Sequence, residues 1–205
     1  MKVKMTNKKL LWKAAIKWPL YSLAVMPTIL AASWNLWSGE NIRLSQLIGF
    51  LLASIFLLLW ENLSNDLFDS ETGIDQFKFH SVVNLLGNKI IVRNLAFLSL
   101  FIGLGLNIFL AFKSNIAVFY LVLGCCFLGY LYQGPPFRLG YKGLGEPLCW
   151  LAFGPLATFA AFLSLIPIGK EIPQDIIWRL SFILSAGPGL ATTLVLYCSH
   201  FHQVH

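Results

Sequence analysis

Six apolar segments constrain the fold of this chain more than any other feature of its sequence. A helix that crosses a bilayer needs about 20 mostly apolar residues, and backbone groups in lipid must find their hydrogen-bond partners within the protein. The segments that meet this length lie at residues 18–37, 44–63, 92–112, 116–133, 146–168 and 176–198. The sequence therefore predicts an all-α fold, a polytopic bundle of six transmembrane helices in the lipid bilayer.

The composition agrees with a membrane protein and leaves room for one domain, residues 1–205. Apolar residues make up 57% of the chain and charged residues 12%, whereas soluble domains carry about 25% charged residues. The net charge of +6 does not indicate nucleic-acid binding, because six of the fifteen Lys and Arg residues fall in the first seventeen positions. A membrane protein keeps positive charge of this kind at its cytoplasmic ends.

The basic residues also predict how the bundle is oriented. With a cytoplasmic N-terminus, eleven Lys and Arg residues fall on the cytoplasmic side and four on the opposite side. Such a bias sets orientation in multi-pass proteins. It brings three polar segments to the cytoplasmic face: an acidic stretch at 60–75, a Gly-rich loop at 130–150 and the C-terminal "SHFHQVH". We expect one functional site there, in an integral, multi-pass protein.

The acidic stretch "WENLSNDLFDSETGID" holds five of the nine carboxylates in the chain. Its polar residues Asn62, Asn65, Asp66 and Asp69 follow the i, i+3, i+4, i+7 spacing of one helix face. Carboxylates on one face repel each other, and a divalent cation relieves that repulsion. Mg²⁺, which takes a few carboxylates and fills its shell with water and phosphate, fits best. The alternative is a solvated helix end with incidental acids.

The loop "YLYQGPPFRLGYKGLGEPLCW" contains four glycines, a Pro-Pro pair and two cations, Arg138 and Lys142. Such a segment cannot form one continuous helix and is typical of a loop with several turns. An Arg fork and a Lys ammonium both bind phosphate. Taken alone, the loop is equally typical of a positively charged cytoplasmic turn. Beside a carboxylate site for Mg²⁺, it favours a diphosphate-binding site at a membrane surface.

Two stretches of the sequence resemble the UbiA superfamily of intramembrane prenyltransferases. "NDLFD", followed by "SETGID", is similar to the first aspartate-rich motif of that family. "SNDLFDSETGID" and "YQGPPFRLGYKGLGEPLCWLAFGPL" look more narrowly like the branch that prenylates dihydroxynaphthoate, in its cyanobacterial and plastid form. The resemblance runs from about residue 18 to the last residue. By resemblance, the membrane is a cyanobacterial-type inner or thylakoid membrane.

The resemblance implies an enzyme of phylloquinone or menaquinone biosynthesis. It would transfer a prenyl group, by resemblance phytyl, from its diphosphate to a dihydroxynaphthoate or carboxynaphthoquinone acceptor. Asn65, Asp66 and Asp69 match the metal motif that holds Mg²⁺ against the diphosphate. Arg138 and Lys142 match basic positions near the leaving group, so Asp66, Asp69, Arg138 and Lys142 are the expected catalytic residues. Asn62 and Asp75 are further candidates at this site.

Two departures from the family pattern keep other functions open. Many members carry a further aspartate at the position of Gly73, where this chain has its acid at Asp75. The family also has nine helices and a second aspartate-rich motif, which would begin at "CSHFHQVH", so we expect the sequence to be incomplete at its C-terminus. The alternatives are a non-catalytic truncated or partner form of the fold, or another aromatic prenyltransferase, such as homogentisate phytyltransferase or chlorophyll synthase.

Overall fold

A computed structural model describes residues 8–72, 81–171 and 174–201 of the chain. In these ranges the regular structure is helical, and no β-strand is found among the described residues. Two π-helical segments, Ala152–Leu156 and Arg179–Leu184, and a short 3₁₀ helix, Leu139–Lys142, lie between α-helices. The α-helices of the described ranges are α1 (Lys8–Ile16), α2 (Trp18–Trp37), α3 (Leu44–Thr72), α4 (Val82–Leu86), α5 (Lys89–Lys113), α6 (Ala117–Gln133), α7 (Gly145–Leu151), α8 (Ala157–Leu165), α9 (Gln174–Trp178) and α10 (Ala186–Phe201).

The predicted all-α membrane bundle is confirmed, and each predicted span falls on helical structure. Among the described residues, three helical units are long and apolar enough to cross a membrane: α3, α5 and the unit Gly145–Leu165, in which the π-helical segment joins α7 to α8. Helix α6 and the segment Phe182–Cys198 are apolar but shorter. Helix α2 has 20 residues and contains Pro27, which neighbouring helices can accommodate.

Helices α3 and α5 form the most extensive helix pair and run antiparallel. At one end the Gln46 amide donates to the Lys113 carbonyl, 3.1 Å away, and at the other the Lys89 ammonium donates to the Ser70 carbonyl, 3.2 Å away. A Cβ atom on Gly103 would lie only 2.7 Å from the Leu57 side chain. A glycine at this crossing therefore lets the two backbones approach closely, as small residues do in membrane bundles.

The apolar core lies between α2, α3, α5, α6 and α8, and a second, smaller cluster lies near the end of α3. The main cluster includes Ala31, Phe50, Leu110, Val118 and Ala160. The second consists of Leu63 on α3, Val83 on the short helix α4, and Val92 and Ala96 on α5. This second cluster holds α4 against the acidic part of α3, and so positions one wall of the site described below.

Helix α3 is longer than its predicted span. The apolar run ends near residue 63, but the helix continues to Thr72 because no Gly or Pro interrupts the sequence between Phe50 and Gly73. Glu61, Asp66, Asp69 and Glu71 therefore lie on a continuous helix rather than in a loop. A helix rises about 1.5 Å per residue, so the nine added residues extend α3 by about 13 Å.

Candidate functional site

The polar stripe of α3 is buried at its centre. Asp66 is 2% exposed and Asp69 is 8% exposed, while Asn62 and Asn65 are partly buried. Two carboxylates taken out of water in this way cost free energy unless they are compensated. Because an α-helix turns about 100° per residue, Asp66 and Asp69 point about 60° apart on α3. Each therefore has its own set of neighbours.

Asp66 faces the junction of α1 and α2 on one side and helix α4 on the other. The backbone N–H of Val82, in the first turn of α4, donates to Asp66 Oδ2 over 2.8 Å. The Lys17 ammonium lies 3.9 Å from Asp66 Oδ1. Lys17 separates α1 from α2 and has a left-handed backbone, φ 50°. This hydrogen bond and this cation both help to compensate the carboxylate.

Asp69 faces the loop that follows α6. The Tyr141 hydroxyl donates a hydrogen bond to Asp69 Oδ1. Burial raises the pKa of the Tyr141 hydroxyl above its usual range, and the hydrogen bond to Asp69 raises it further. The hydroxyl therefore keeps its proton at neutral pH and remains a donor. The two segments that the sequence singled out, the acidic stretch and the Gly-rich loop, meet at this contact.

The two predicted cations of the loop have different environments. Arg138 is partly buried; its Nη2 lies 3.8 Å from the Glu71 carboxylate, and its buried Nε has no hydrogen-bond partner among the described residues. Its backbone is left-handed, φ 46°, which is uncommon outside glycine and is often found at functional sites. Lys142, at the end of the 3₁₀ helix, is exposed. Arg138 therefore offers an unused donor at the site, and Lys142 a solvated charge at its edge.

The donor set on α3 suits Mg²⁺ when phosphate completes the coordination. In the described part of the chain, no three His, Cys, Asp or Glu side chains are grouped to hold a metal by themselves. Asn65, Asp66 and Asp69 offer two carboxylates and one amide oxygen on the same face of α3. Mg²⁺ is commonly held by one or two carboxylates plus substrate phosphate oxygens rather than by a complete protein cage. The residues present therefore fit the ion.

An apolar cavity of about 110 Å³ lies beside the deeper part of α3. Its wall is formed by α2, α3, α6 and the unit from α7 to α8, with Phe50, Trp60, Tyr132 and Phe153 as its large aromatic side chains. A second cavity, of about 270 Å³, lies between α1, α3, α4 and α5 and reaches Asn62 and Asp66. The buried carboxylate of Asp66 is thus bordered by apolar space that can receive hydrocarbon.

Three residues at or near this site were not singled out by the sequence patterns. Lys17 belongs to the basic N-terminal segment and reaches Asp66 only because the chain turns there. Tyr141 lies between the two loop cations and contacts Asp69. Glu61 precedes the stripe and lines the first cavity. An available signal was the position of Glu61, an acid directly after the apolar run of a predicted span.

One predicted residue, Asn62, lies apart from the others, and the candidate Asp75 cannot be placed. Asn62 lies beside Tyr21 of α2 and lines the second cavity, about one turn deeper than Asp66. Asp75 lies outside the described residues, as do His202 and His205 of the C-terminal segment. The site among the described residues therefore consists of Asn65, Asp66, Asp69, Arg138 and Tyr141, with Lys17 and Lys142 at its border.

Comparison with known proteins agrees with this arrangement. The sequence matches the model of the UbiA prenyltransferase family over residues 24–205. It is 45% identical over 200 residues to the 2-carboxy-1,4-naphthoquinone phytyltransferase of Synechocystis sp., a match that covers 95% of this chain and 61% of the relative. It is 41% identical over 199 residues to the chloroplastic 2-carboxy-1,4-naphthoquinone phytyltransferase of Arabidopsis thaliana, covering 96% of this chain and 51% of the relative.

The chain thus spans between half and about three fifths of the length of these curated relatives. No solved structure matches the sequence significantly. The family match extends over most of the chain and includes both the acidic part of α3 and the Gly-rich loop. With its helical membrane architecture, this match shows that the chain belongs to the UbiA prenyltransferase family.

Proposed function

We propose that this chain transfers a prenyl group, phytyl by similarity to its relatives, from its diphosphate to a naphthalene-ring acceptor. The observation that carries the proposal is the meeting of two buried carboxylates, Asp66 and Asp69, with the loop that bears Arg138. Carboxylates and an unused guanidinium donor at the end of an apolar bundle are the groups that a lipid-linked diphosphate needs. The names of the two relatives support the choice of phytyl and of a carboxylated naphthoquinone or its dihydroxynaphthoate form.

Different residues would bind different parts of the substrate. Arg138 and, at the outer edge, Lys142 would hold diphosphate oxygens, since guanidinium and ammonium groups both bind phosphate. Asn65, Asp66 and Asp69 would hold Mg²⁺, which when bound neutralises charge on the departing diphosphate. The prenyl chain would lie in the second apolar cavity, between α1, α3, α4 and α5, which reaches Asp66. Tyr141, which donates to Asp69, would orient that carboxylate.

The chemical step would begin with cleavage of the allylic C–O bond, whose electron pair leaves with the diphosphate. Stabilisation of the departing charge by fixed cationic donors is commonly the largest contribution to such a step. The acceptor ring carbon would then bond to the allylic carbon, and the ring carboxylate would leave as CO₂, returning its electron pair to the ring. Apolar side chains around the prenyl chain would keep water from reacting with the allylic cation.

We also propose that this end of the bundle faces the cytoplasm. The support is the distribution of basic residues, eleven against four, with Arg138 and Lys142 among the eleven. A cysteine-labelling experiment with a membrane-impermeant reagent, on single cysteines placed at Lys142 and Lys113, tests the orientation. Labelling of the Lys142 position only from the cytoplasmic side is expected, and labelling of it only from the outside would refute the orientation.

The proposed activity is tested with membranes that contain the 205-residue chain, labelled phytyl diphosphate, 1,4-dihydroxy-2-naphthoate and Mg²⁺. We expect a prenylated product that disappears when Mg²⁺ is chelated, and a decrease of about hundredfold or more in Asp69→Asn. Asp175→Asn is the matched control, because Asp175 is an exposed carboxylate far from the site. An inserted chain that gives no product, or an Asp69→Asn variant with full activity, would contradict the proposal.

Acceptor competition tests which ring is used. Homogentisate and chlorophyllide are the acceptors of the alternative phytyl-transferring enzymes weighed above. We expect 1,4-dihydroxy-2-naphthoate to be prenylated and neither of the others to compete at equal concentration. Preferential prenylation of homogentisate or chlorophyllide would keep the transferase mechanism but replace the acceptor.

A further inference from the structure

Glu61 is an acidic residue in the wall of the first cavity that the proposed mechanism does not use. It lies on α3 one turn deeper than Asn65 and two turns deeper than Asp69. The rest of the cavity wall is mostly apolar and aromatic, with Phe50, Trp60 and Phe153 among its lining residues. Ionisable groups at such depth are rare and are usually functional.

The packing of α6 against α3 leaves space for the Glu61 side chain. A Cβ atom on Gly129 would overlap the Glu61 carboxyl group. The glycine at this position of α6 therefore leaves space for the carboxyl group. One turn further along α6, the Gln133 amide donates to the Glu61 backbone carbonyl over 3.2 Å. The backbone of Glu61 is thereby fixed to α6, and its carboxyl group lies directly over Gly129.

The carboxyl group of Glu61 has no hydrogen-bond or ion-pair partner among the residues that the structure describes. By contrast, Asp66 has Val82 and Lys17, and Asp69 has Tyr141. A polar group that faces an apolar cavity without a partner costs free energy, and this cost is recovered when a ligand supplies the missing hydrogen bond. The arrangement therefore calls for a ligand that is mostly apolar and carries a hydrogen-bond donor.

The position and the aromatic lining of the cavity suit the edge of a ring better than a long chain. An apolar cavity of about 150 Å³ binds benzene; the present cavity, about 110 Å³, is somewhat smaller and would therefore receive one edge of a bicyclic ring rather than the whole ring. Its aromatic lining offers flat surfaces for stacking. Tyr132, which also lines it, packs against Gly140 and Gly145 at the two ends of the loop segment that carries Tyr141 and Lys142. The cavity thus lies directly below the proposed diphosphate end.

We infer that the Glu61 carboxyl group accepts a hydrogen bond from a ring hydroxyl of the aromatic acceptor and thereby selects hydroxylated rings. This inference rests on the proposed function, because it assigns one residue to the acceptor of that reaction. It makes Glu61 a specificity-determining residue and places the acceptor ring between α3 and α6. The contact forms whether the carboxyl group is ionised or neutral, since either form has an accepting oxygen.

The test measures acceptor binding without prenyl diphosphate or Mg²⁺, so that it does not depend on turnover. The purified 205-residue chain is titrated anaerobically with 1,4-dihydroxy-2-naphthoate and, separately, with 2-naphthoate, which lacks the hydroxyls. Quenching of tryptophan fluorescence reports binding, because Trp60 lines the cavity. We expect the dihydroxylated ring to bind about tenfold more tightly than 2-naphthoate, as the gain of a buried hydrogen bond predicts.

Three variants decide the result. Glu61→Leu is expected to abolish the tenfold preference, and Glu61→Gln, whose amide oxygen still accepts, to keep most of it. Ser54→Ala changes another polar residue of the same cavity two turns deeper on α3 and is expected to leave the preference unchanged. A preference that persists in Glu61→Leu, or wild-type chain that binds neither ring, would overturn the inference. Because the ratio of two affinities is measured, a general loosening of the bundle does not mimic the expected result.

Failure of the proposed function gives a different result. If the chain binds the hydroxylated ring in a Glu61-dependent way but forms no prenylated product, the site for the ring stands and the transferase activity of this polypeptide does not. If product forms at the same rate and with the same KM for the acceptor in Glu61→Leu, the transferase proposal stands and the role of Glu61 is wrong.

Discussion

The two ends of the bundle both carry charged residues, but these residues are exposed at one end and buried at the other. At the end where α3 begins, Lys170 and Glu40 form an ion pair with both side chains more than a third exposed, and Arg179 and Asp175 are more exposed still. At the end where α3 finishes, Asp66 and Asp69 are more than nine-tenths buried. Charged side chains that stay in water cost little free energy of desolvation, and their ion pairs contribute little to stability. Charges removed from water are expensive unless paired, and such pairs are weak evidence for stability, which is why we attribute the second set to ligand binding.

The contrast is tested most strongly by removing one charge from each end. Asp66→Asn keeps an oxygen that accepts from the Val82 N–H but removes the charge that would hold Mg²⁺. We expect prenyl transfer to decrease by about hundredfold or more, the size of effect seen when a preorganised electrostatic group is lost. Glu40→Gln, the same change at the opposite end, is expected to alter the rate less than twofold. Initial rates in membranes with equal amounts of inserted protein measure both, and equal losses in the two variants would contradict the comparison.

Within the site, the two cations of the Gly-rich loop are expected to differ. Arg138 is partly buried with an unused Nε donor, whereas Lys142 is exposed. Removing a partner from a buried charge-assisted contact commonly costs about 2–5 kcal/mol and an exposed one much less. We expect Arg138→Gln to raise the KM for the prenyl diphosphate by about thirtyfold and Lys142→Gln by about threefold or less. A larger effect at Lys142 would show that the loop closes on the substrate differently from this structure.

The helices were predictable because membrane helices are set by local composition. The apolar run of α5 fixes that span almost to its ends, residues 92–112 predicted and Lys89–Lys113 observed. The extension of α3 to Thr72 follows from the absence of helix breakers, which is also readable from the sequence. The short helix α4 was not predicted, because its position depends on the apolar cluster that it forms with Leu63 and Val92.

The candidate site was predictable only in part. Spacing alone placed Asn65, Asp66 and Asp69 on one face of α3, since that is a property of the helix. It did not show that Lys17 lies next to Asp66, because that contact depends on a left-handed residue between α1 and α2. The spacing also did not show that Arg138 is partly buried whereas Lys142 is exposed. Burial of a side chain is decided by packing between segments distant in sequence, so two cations four residues apart looked equivalent.

Tyr141 gives a smaller expected effect with a distinct pH signature. Tyr141→Phe removes the hydrogen bond to Asp69 and is expected to lower the transfer rate about five- to tenfold, which corresponds to the value of one ordinary hydrogen bond, about 1 kcal/mol. Because the pKa of Tyr141 is raised in the folded protein, its stabilising contribution is complete below the ordinary tyrosine pKa of about 10 and is lost only as the pH rises beyond it.

Rate profiles between about pH 7 and pH 9 should therefore have the same shape in the wild type and in Tyr141→Phe, since tyrosine is protonated throughout this interval. The profiles would differ only in height. A rate that falls with rising pH in the wild type but not in Tyr141→Phe would mean that the hydroxyl loses its proton in this range, contrary to the environment seen here.

The smallest expected effects concern stability, and they compare two lysines that each lie beside a carboxylate. Lys17 is 3.9 Å from the buried Asp66, whereas Lys170 pairs with the exposed Glu40. Removing a cation from a buried carboxylate leaves an uncompensated charge, so we expect Lys17→Met to destabilise the protein by about 1–2 kcal/mol, less than a fully buried pair because Lys17 is partly exposed. Lys170→Met should cost about 0.5 kcal/mol or less.

Thermal unfolding in detergent distinguishes the two lysine variants, since each kcal/mol shifts the midpoint by about 2–4 °C in a chain of this size. Adding Asp66→Asn to Lys17→Met should restore most of the lost stability, because the negative charge that lost its cation is then gone; if it does not, Lys17 stabilises the α1–α2 junction by packing and not by its charge.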